Sequence, residues 1–276
     1  MDFEPRRFAT PTPTQLYVEN GAGRISIAAT DTSTTTVRVS GERAEEATVV
    51  QDDDRISVIA PKHRAGFFSG DQALAIEVEL PTGSHLVVKS GSASLAATGE
   101  LSTVRVKSGS GDVRLDVVGG AAEVDTGSGD ITLATAAGDL RVRSGSGDVD
   151  LRSVAGSTSV STGSGDVRIG RADGPVVVKT GSGDLEIVQA ERDVASTTGS
   201  GDVVVRSARR GRIVAKGASG DIVVGVPVGT PVWTDLTTMT GRVTSTLPSA
   251  GQPAPGADHV ELRATTVSGD IALVPA

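Results

Sequence analysis

"VKSGSGDVRLDVVGGAAEVDTGSGDITLATAAGDLRVRSGSGDVDL", running from Val106 to Leu151, contains the phrase Gly-Ser-Gly-Asp three times. The aspartate that closes it stands at Asp112, Asp130 and Asp148, and the same slot is filled onward, at a constant step of eighteen, by Asp166, Asp184 and Asp202. Asp221 comes one position later than that step requires, and Ser94 in "KSGSASLAA" holds the slot one full step before Asp112. A period kept through this many units predicts a repeat architecture, with the phrase either a site or a corner the chain turns once per unit.

Within the period, residues one and three places after each aspartate are apolar: Val113 and Leu115, Ile131 and Leu133, Val149 and Leu151, Val167 and Ile169. A second alternating stretch closes each unit, with Val106, Val124, Val142, Val160 and Val178 at the twelfth place. Two places later comes a small hydroxylic residue: Ser108, Thr126, Ser144, Thr162, Thr180 or Thr198. Period-two alternation marks strands with one buried and one wet face, so each unit predicts two short strands and two corners. One corner is the repeated phrase, with glycine pairs at Gly109 and Gly111, Gly127 and Gly129, Gly145 and Gly147, Gly163 and Gly165, Gly181 and Gly183, and Gly199 and Gly201. The other lies near "AAGD", "VAGS" and "ADGP". Glycine at such corners is expected to supply backbone angles closed to other residues.

Such units stack either as coils of a parallel β-solenoid or as hairpins of an antiparallel meander. The constancy of each column favours the solenoid, in which like residues lie one above another about 4.8 Å apart. The expected fold is an all-β, single-stranded parallel β-solenoid with 18-residue coils, right-handed as parallel crossovers generally are, with irregular β caps at both ends. The hydroxyl column is expected to bond along its own ladder. Outward columns such as Arg105, Glu123 and Arg141 place opposite charges on adjacent rungs.

The chain of 276 residues carries only 2% aromatic residues against 35 glycines, which predicts a thin interior of Val, Leu, Ile and Ala. A net charge of −8 argues against a nucleic-acid groove. The lack of cysteine removes disulfides, thiolate metal sites and cysteine nucleophiles. With no apolar run long enough for a signal sequence or a bilayer span, the expected location is the cytoplasm, without membrane insertion.

Boundaries follow from regularity. Residues 1–90 read as an N-terminal β cap continuous with the solenoid, with strands in "QLYVENGAGRISIAATD", "TTTVRVSG", "DRISVIAPK" and "ALAIEVELPTG", a helical turn in "GERAEEATVVQDDD" and a loop from Lys62 to Asp71. Residues 91–225 are the regular repeats, and 226–276 are capping coils, all in one structural domain. Trp233 is expected as a lid over the last coil, and Pro248 to Asp258 as a Pro/Gly loop.

Four readings compete for the aspartate column. Calcium would take Asp112, Asp130, Asp148, Asp166, Asp184 and Asp202 as ligands, but the toxin-type nonapeptide is absent, and one carboxylate per rung is a poor supply for a cation wanting six to eight oxygens. A phosphate loop is excluded by the missing third glycine and by a strand where a helix is needed. The structural reading has each carboxylate accept backbone N–H groups and fix the turn, with repulsion between neighbours of roughly 0.9 kcal/mol in water. A carbohydrate-active site could combine the column with Arg171, Arg209 and Arg210, an analogy of fold alone. The histidines His63, His85 and His259 lie outside the repeats, and no nucleophile elbow accompanies them.

The segments "ISIAATDTSTTTVRV", "IEVELPTGSHLVV", "GPVVVKTGSGDLEI", "VGVPVGTPVWTDLTTMTGRV" and "VELRATTVSGDIALV", together with the serial "SGSGDV" units, resemble the actinobacterial members of the DUF4097 family, candidate adhesins related to toastrack domains. The likeness spans nearly the whole chain. It implies a solenoid-like fold and a non-enzymatic role in adhesion or cell-envelope sensing, with no catalytic residues to transfer. The resulting expectation is a binding or scaffold protein with no cofactor, whose partner is a protein or glycan of unknown identity. Sheet edges leave room for a homo-oligomer. A carbohydrate-active enzyme and a calcium-stabilised repeat are the alternatives.

Overall fold

The computed structural model describes residues 4–61, 73–247 and 258–276. His63, the Lys62 to Asp71 loop and nearly all of the Pro248 to Asp258 loop lie outside the described residues. Those residues form 27 strands and a single 3-10 turn, Ala44–Glu46, inside the segment expected to hold one. The fold is all-β, built from two mostly parallel sheets in the manner of a solenoid. Contacts divide it into two units, residues 1–138 and 139–276.

In the second unit consecutive strands alternate between the sheets, and each pairs in parallel with the strand one coil later. Leu140–Ser144, Thr158–Thr162, Val176–Thr180 and Val194–Ser200 stack in one sheet, with Leu140 opposite Thr158, Thr158 opposite Val176 and Val176 opposite Val194. Val149–Val154, Val167–Ala172, Leu185–Ala190 and Val203–Val205 stack in the other. The step of eighteen therefore holds until Val194 faces Ile213, one residue beyond the place that step would give. Since Val203 still keeps step with Leu185, the extra residue falls in the corner between Val205 and Gly211.

The first unit uses the same coil. Val104–Ser108 pairs with His85–Ser90 and Ala122–Thr126, and Val113–Val118 pairs with Ser94–Leu101 and Ile131–Ala136. Its early residues depart from simple succession. The coil made by Gln15–Asn20 and Gly23–Thr30 is intercalated: Gln15–Asn20 bonds both Arg55–Ile59 and His85–Ser90, and Gly23–Thr30 bonds both Leu74–Pro81 and Ser94–Leu101. Antiparallel strands finish this end, Thr34–Ser40 on Leu74–Pro81, Arg6–Ala9 on Thr34–Ser40, and Thr48–Asp52 on Arg55–Ile59. The second unit repeats the device. Val260–Thr266 lies between Gly211–Ser219 and Val232–Thr238, and Ile271–Pro275 lies between Ile222–Val226 and Val243–Ser245. One sheet thus leaves its open edges to short strands, of 4 residues at Arg6–Ala9 and 3 at Val243–Ser245, which limits the template an edge offers to other chains.

Apart from Pro81, every buried apolar side chain among the described residues is Val, Leu, Ile or Ala. The inward columns are nearly sealed, with Val149 at 1% exposure and Leu151 and Ile169 at 0%. A coil only two strands wide has no room for rings, and close-packed aliphatic rungs remove apolar area from water at roughly 25 cal/mol per Å². Trp233 corrects one expectation. It is 57% exposed and belongs to the outward side of Val232–Thr238, opposite Glu261, so it does not cover the coil. Strand alternation sends its neighbours Val232 and Thr234 to the other face, opposite Val260 and Leu262 of the buried column.

Candidate functional site

The repeated corner is built by three features. The first is close approach. A Cβ on Gly165 would lie 2.1 Å from the Gly147 carbonyl oxygen, and one on Gly163 would lie 2.4 Å from that of Gly145. Gly111, Gly129 and Gly183 are as crowded by the rung below. None of these five glycines has a positive φ, so the reason for glycine there is space between rungs, whereas Gly201 and Gly220, in the later and less regular corners, combine the same close approach with φ of +157° and +130°.

The second feature is the hydroxyl column, which does not run as a ladder. Only Ser90 bonds its successor Ser108 in that way among the described residues, at 3.1 Å. Elsewhere the hydroxyl reaches three residues forward into its own corner. Gly129, Gly165 and Gly183 donate their N–H to Thr126, Thr162 and Thr180 at 3.1, 3.1 and 2.9 Å, and Ser144 donates to the Gly147 carbonyl at 2.9 Å. The turn removes that amide from the sheet, and a buried N–H without a partner is costly, so the hydroxyl serves the backbone first.

The third feature is the aspartate column, in which a carboxylate accepts the backbone N–H of the aspartate one rung on. Asp112 Oδ1 takes that of Asp130 at 3.2 Å, Asp148 that of Asp166 at 2.9 Å, and Asp166, Asp184 and Asp202 those of Asp184, Asp202 and Asp221 at 2.8 Å. The relay then follows space rather than sequence: Asp221 accepts from Asp270 at 2.7 Å, and Asp270 accepts from Arg242 at 2.9 Å. The aspartate carbonyls meanwhile accept from the first strand residue of the rung below, as Asp166 does from Val149. The carboxylate thus substitutes for a ladder carbonyl where the chain turns away, with the added strength of a charged acceptor. Among the described residues no group of three or more His, Asp or Glu side chains is placed to hold a metal ion.

Arg171, Arg209 and Arg210 gather at the other corner, around Glu191. Arg171 lies 2.7 Å from Asp173 and 3.6 Å from Glu191, and Arg209 reaches Glu191 at 4.0 Å. Arg210 donates to the Glu191 carbonyl at 3.2 Å and lies 3.5 Å from Asp258. The bond to Asp173 raises the Arg171 guanidinium above its ordinary value. Arg171 stands at the far end of the strand that Asp166 opens, so these arginines and the aspartate column do not form one constellation. Glu191, Arg209, Gln189, Ser207 and Asp258 line an open cleft of about 500 Å³. A second open cleft of about 430 Å³ lies in the first unit, where Ser26, Ala28 and Ala96 form a low floor beside Arg38, Glu77 and Glu79.

His85 bonds Thr103 at the surface, 2.8 Å from Nδ1 to Oγ1, and the His259 carbonyl accepts the Gly211 N–H at 3.1 Å. Tyr17 had no place in the sequence reading. Its ring carries the Arg55 guanidinium 4.9 Å and the Lys89 ammonium 5.6 Å from its centre, and its hydroxyl donates to Glu19 at 2.8 Å. Burial and then the Glu19 bond push that hydroxyl above the usual tyrosine value. A lone tyrosine between outward charges gave a signal only once strand registers put Arg55 and Lys89 beside it.

These features define a class: an all-β repeat protein whose recurring phrase serves its own backbone, with polar faces directed outward. The chain matches the family model Toastrack DUF4097 over residues 14–274 and belongs to that family. No curated protein matches it in sequence. Solved structures similar to it include a candidate adhesin from Parabacteroides merdae, 11% identical, covering 98% of this chain and 95% of that one with a TM-score of 0.41. Another is a candidate adhesin from Bacteroides fragilis, 14% identical, at 99% and 97% coverage and a TM-score of 0.40. A candidate lipid-binding protein from Parabacteroides distasonis is 14% identical, at 98% and 96% coverage and a TM-score of 0.38. Among the described residues no helix is long and apolar enough to cross a membrane.

Proposed function

We propose that this chain is a non-catalytic binding or scaffold protein that presents regular polar faces to a protein or glycan partner, in an adhesin-like or envelope-sensing role. The observation that supports this reading most is the commitment of the aspartate column, in which Oδ1 after Oδ1 is engaged by the backbone of the neighbouring rung. Carboxylates held in that way stiffen the coil. What remains for a partner is the set of outward side chains, arranged in straight columns by the register.

The test exposes labelled full-length protein to arrays of glycans and of envelope proteins, and assays the same glycans for cleavage. Saturable binding without product supports the scaffold. Product formation that stops when Glu191→Gln or Asp258→Asn is introduced would overturn it in favour of a carbohydrate-active enzyme working in the cleft those carboxylates line.

A further inference from the structure

The two outward faces of residues 139–276 carry their charges in different patterns. On the face of Val167–Ala172 and its neighbours, Arg168 and Arg206 share Glu186, and Arg171 holds Asp173. On the opposite face the register places Arg143, Ser161, Lys179, Thr197, Lys216 and Thr265 in one row, so that cation and hydroxyl alternate rung by rung. The next row reads Arg141, Ser159, Val177, Ala195, Val214 and Arg263. No carboxylate enters either row until Asp235, on the last strand, which holds Arg263 at 3.2 Å. Lys179 and Lys216 are exposed and make no ion pair among the described residues. Acids border the rows along their length. Asp139 and Asp193 at one side accept the backbone N–H of Ser157 and Arg212 at 3.0 and 2.9 Å, and the aspartate column lies around the corner on the other.

From this geometry we propose that the face formed by Thr158–Thr162, Val176–Thr180, Val194–Ser200 and Gly211–Ser219 binds a linear acidic polysaccharide that carries one carboxylate or sulfate per disaccharide. This deepens the scaffold reading and rests on it. Ammonium groups two rungs apart are separated by about 9.6 Å. A pyranose ring in an extended chain is about as long as a rung is tall. A glycan lying along the stacking direction therefore sets an acidic sugar over Lys179, a neutral sugar over Thr197, and the next acidic sugar over Lys216. Ser159, Ser161 and Thr197 offer hydroxyls to sugar hydroxyls, and Val177, 41% exposed, with Ala195 and Val214 gives a low aliphatic strip for the apolar face of the rings. The acidic borders confine an anionic chain to the middle of the strands, and with a screening length of about 10 Å at 0.1 M salt their repulsion stays local. A nucleic-acid strand carries a phosphate on every nucleotide, about every 3.4 Å of axis when stacked as in the duplex, and so carries charge more densely than this row can match.

The experiment titrates the full chain at about 0.1 M salt, the condition of that screening length, with a hyaluronan decasaccharide, in which acidic and neutral sugars alternate. Polygalacturonate oligomers, a neutral β-glucan and single-stranded oligo-dT serve as comparators. Saturable binding of the decasaccharide is expected, weakened roughly tenfold in the K179Q/K216Q double variant, while R168Q on the opposite face changes it less than about twofold. Tighter binding of oligo-dT or of polygalacturonate would overturn the two-rung match. Equal losses in R168Q and the double variant would reduce the effect to net charge and overturn the site, as would no binding at all. Capture of a neutral glycan or of a protein on the arrays, with the decasaccharide inert, would overturn this inference and leave the scaffold standing.

Discussion

Two threonines in one column face opposite fates on losing their hydroxyl. Thr180 is 8% exposed, and its Oγ1 accepts the Gly183 N–H at 2.9 Å. Thr198, 5% exposed and one rung on, has a buried Oγ1 with no partner, because the Gly201 N–H turns to the Ser219 carbonyl at 3.1 Å. Thr180→Val leaves a buried amide unsatisfied and should destabilise the fold by about 1–2 kcal/mol, net of the methyl group gained. Thr198→Val removes an unsatisfied buried hydroxyl at nearly unchanged shape and should stabilise by up to about 1–2 kcal/mol. In a chain of this size each kcal/mol moves the midpoint by about 2 °C or more, so the two variants should straddle the parent and differ by roughly 5 °C. Thermal and urea unfolding of the full chain, followed by far-ultraviolet circular dichroism, measures this directly. Equal destabilisation by both substitutions would refute the reasoning, since it would mean that the hydroxyls contribute through a shared ladder and not through the corner amide.

Three further outcomes are expected. Asp184→Ala removes the acceptor for the solvent-exposed Asp202 N–H and should cost about 0.5–1.5 kcal/mol in the same unfolding experiment, whereas Asp184→Asn keeps an oxygen in place and should lose less than half of that. Gly165→Ala must displace backbone 2.1 Å away and should cost about 3 kcal/mol or more, while Gly217→Ala, whose nearest neighbour is 3.4 Å from the new Cβ, should stay within about 1 kcal/mol. Tyr17 is the only tyrosine, so phenolate absorbance reports it alone. Its midpoint should lie above 10.0, fall in Glu19→Gln, and a midpoint at or below 10.0 in the parent would contradict the burial and the Glu19 bond.

The coil was legible because its cause is local. Alternation at Val149 and Leu151, or at Val176 and Val178, is a property of one strand, and repetition of that property says that strands stack in register. Intercalation was not legible, because nothing in the alternation of Gln15–Asn20 specifies a partner as remote in sequence as His85–Ser90, and nothing in Val260–Thr266 states that it will separate Gly211–Ser219 from Val232–Thr238. The pairing of Asp221 with Asp270 is likewise a fact of space. Tyr17 and the row from Ser161 to Lys216 were hidden for the same reason. Their chemistry arises between rungs, from residues that are ordinary within their own strand.

The corner shows how far a single residue can carry such a relation. Ala218 occupies the place that Gly199 holds one rung earlier, as the pairings of Thr198 with Gly217 and Ser200 with Ser219 establish. In the regular corners a Cβ at that place would meet the carbonyl below at 2.4 Å, as at Gly127, Gly163 and Gly181. With alanine there the tight corner cannot form, and the chain continues as extended strand through Ser200 and Ser219. Opening the corner turns the Gly201 amide toward Ser219 and strands the Thr198 hydroxyl. The position opposite Thr198 in the next rung is Gly217, where each of the seven units from Ser90 to Thr198 has Ser or Thr, so the capping hydroxyl disappears at the rung where the amide it would serve has found another acceptor. The irregular "GASGD" is thus a physical consequence of one methyl group, and Ala218→Gly, made together with Gly217→Thr, should restore the closed corner and give the new hydroxyl its amide.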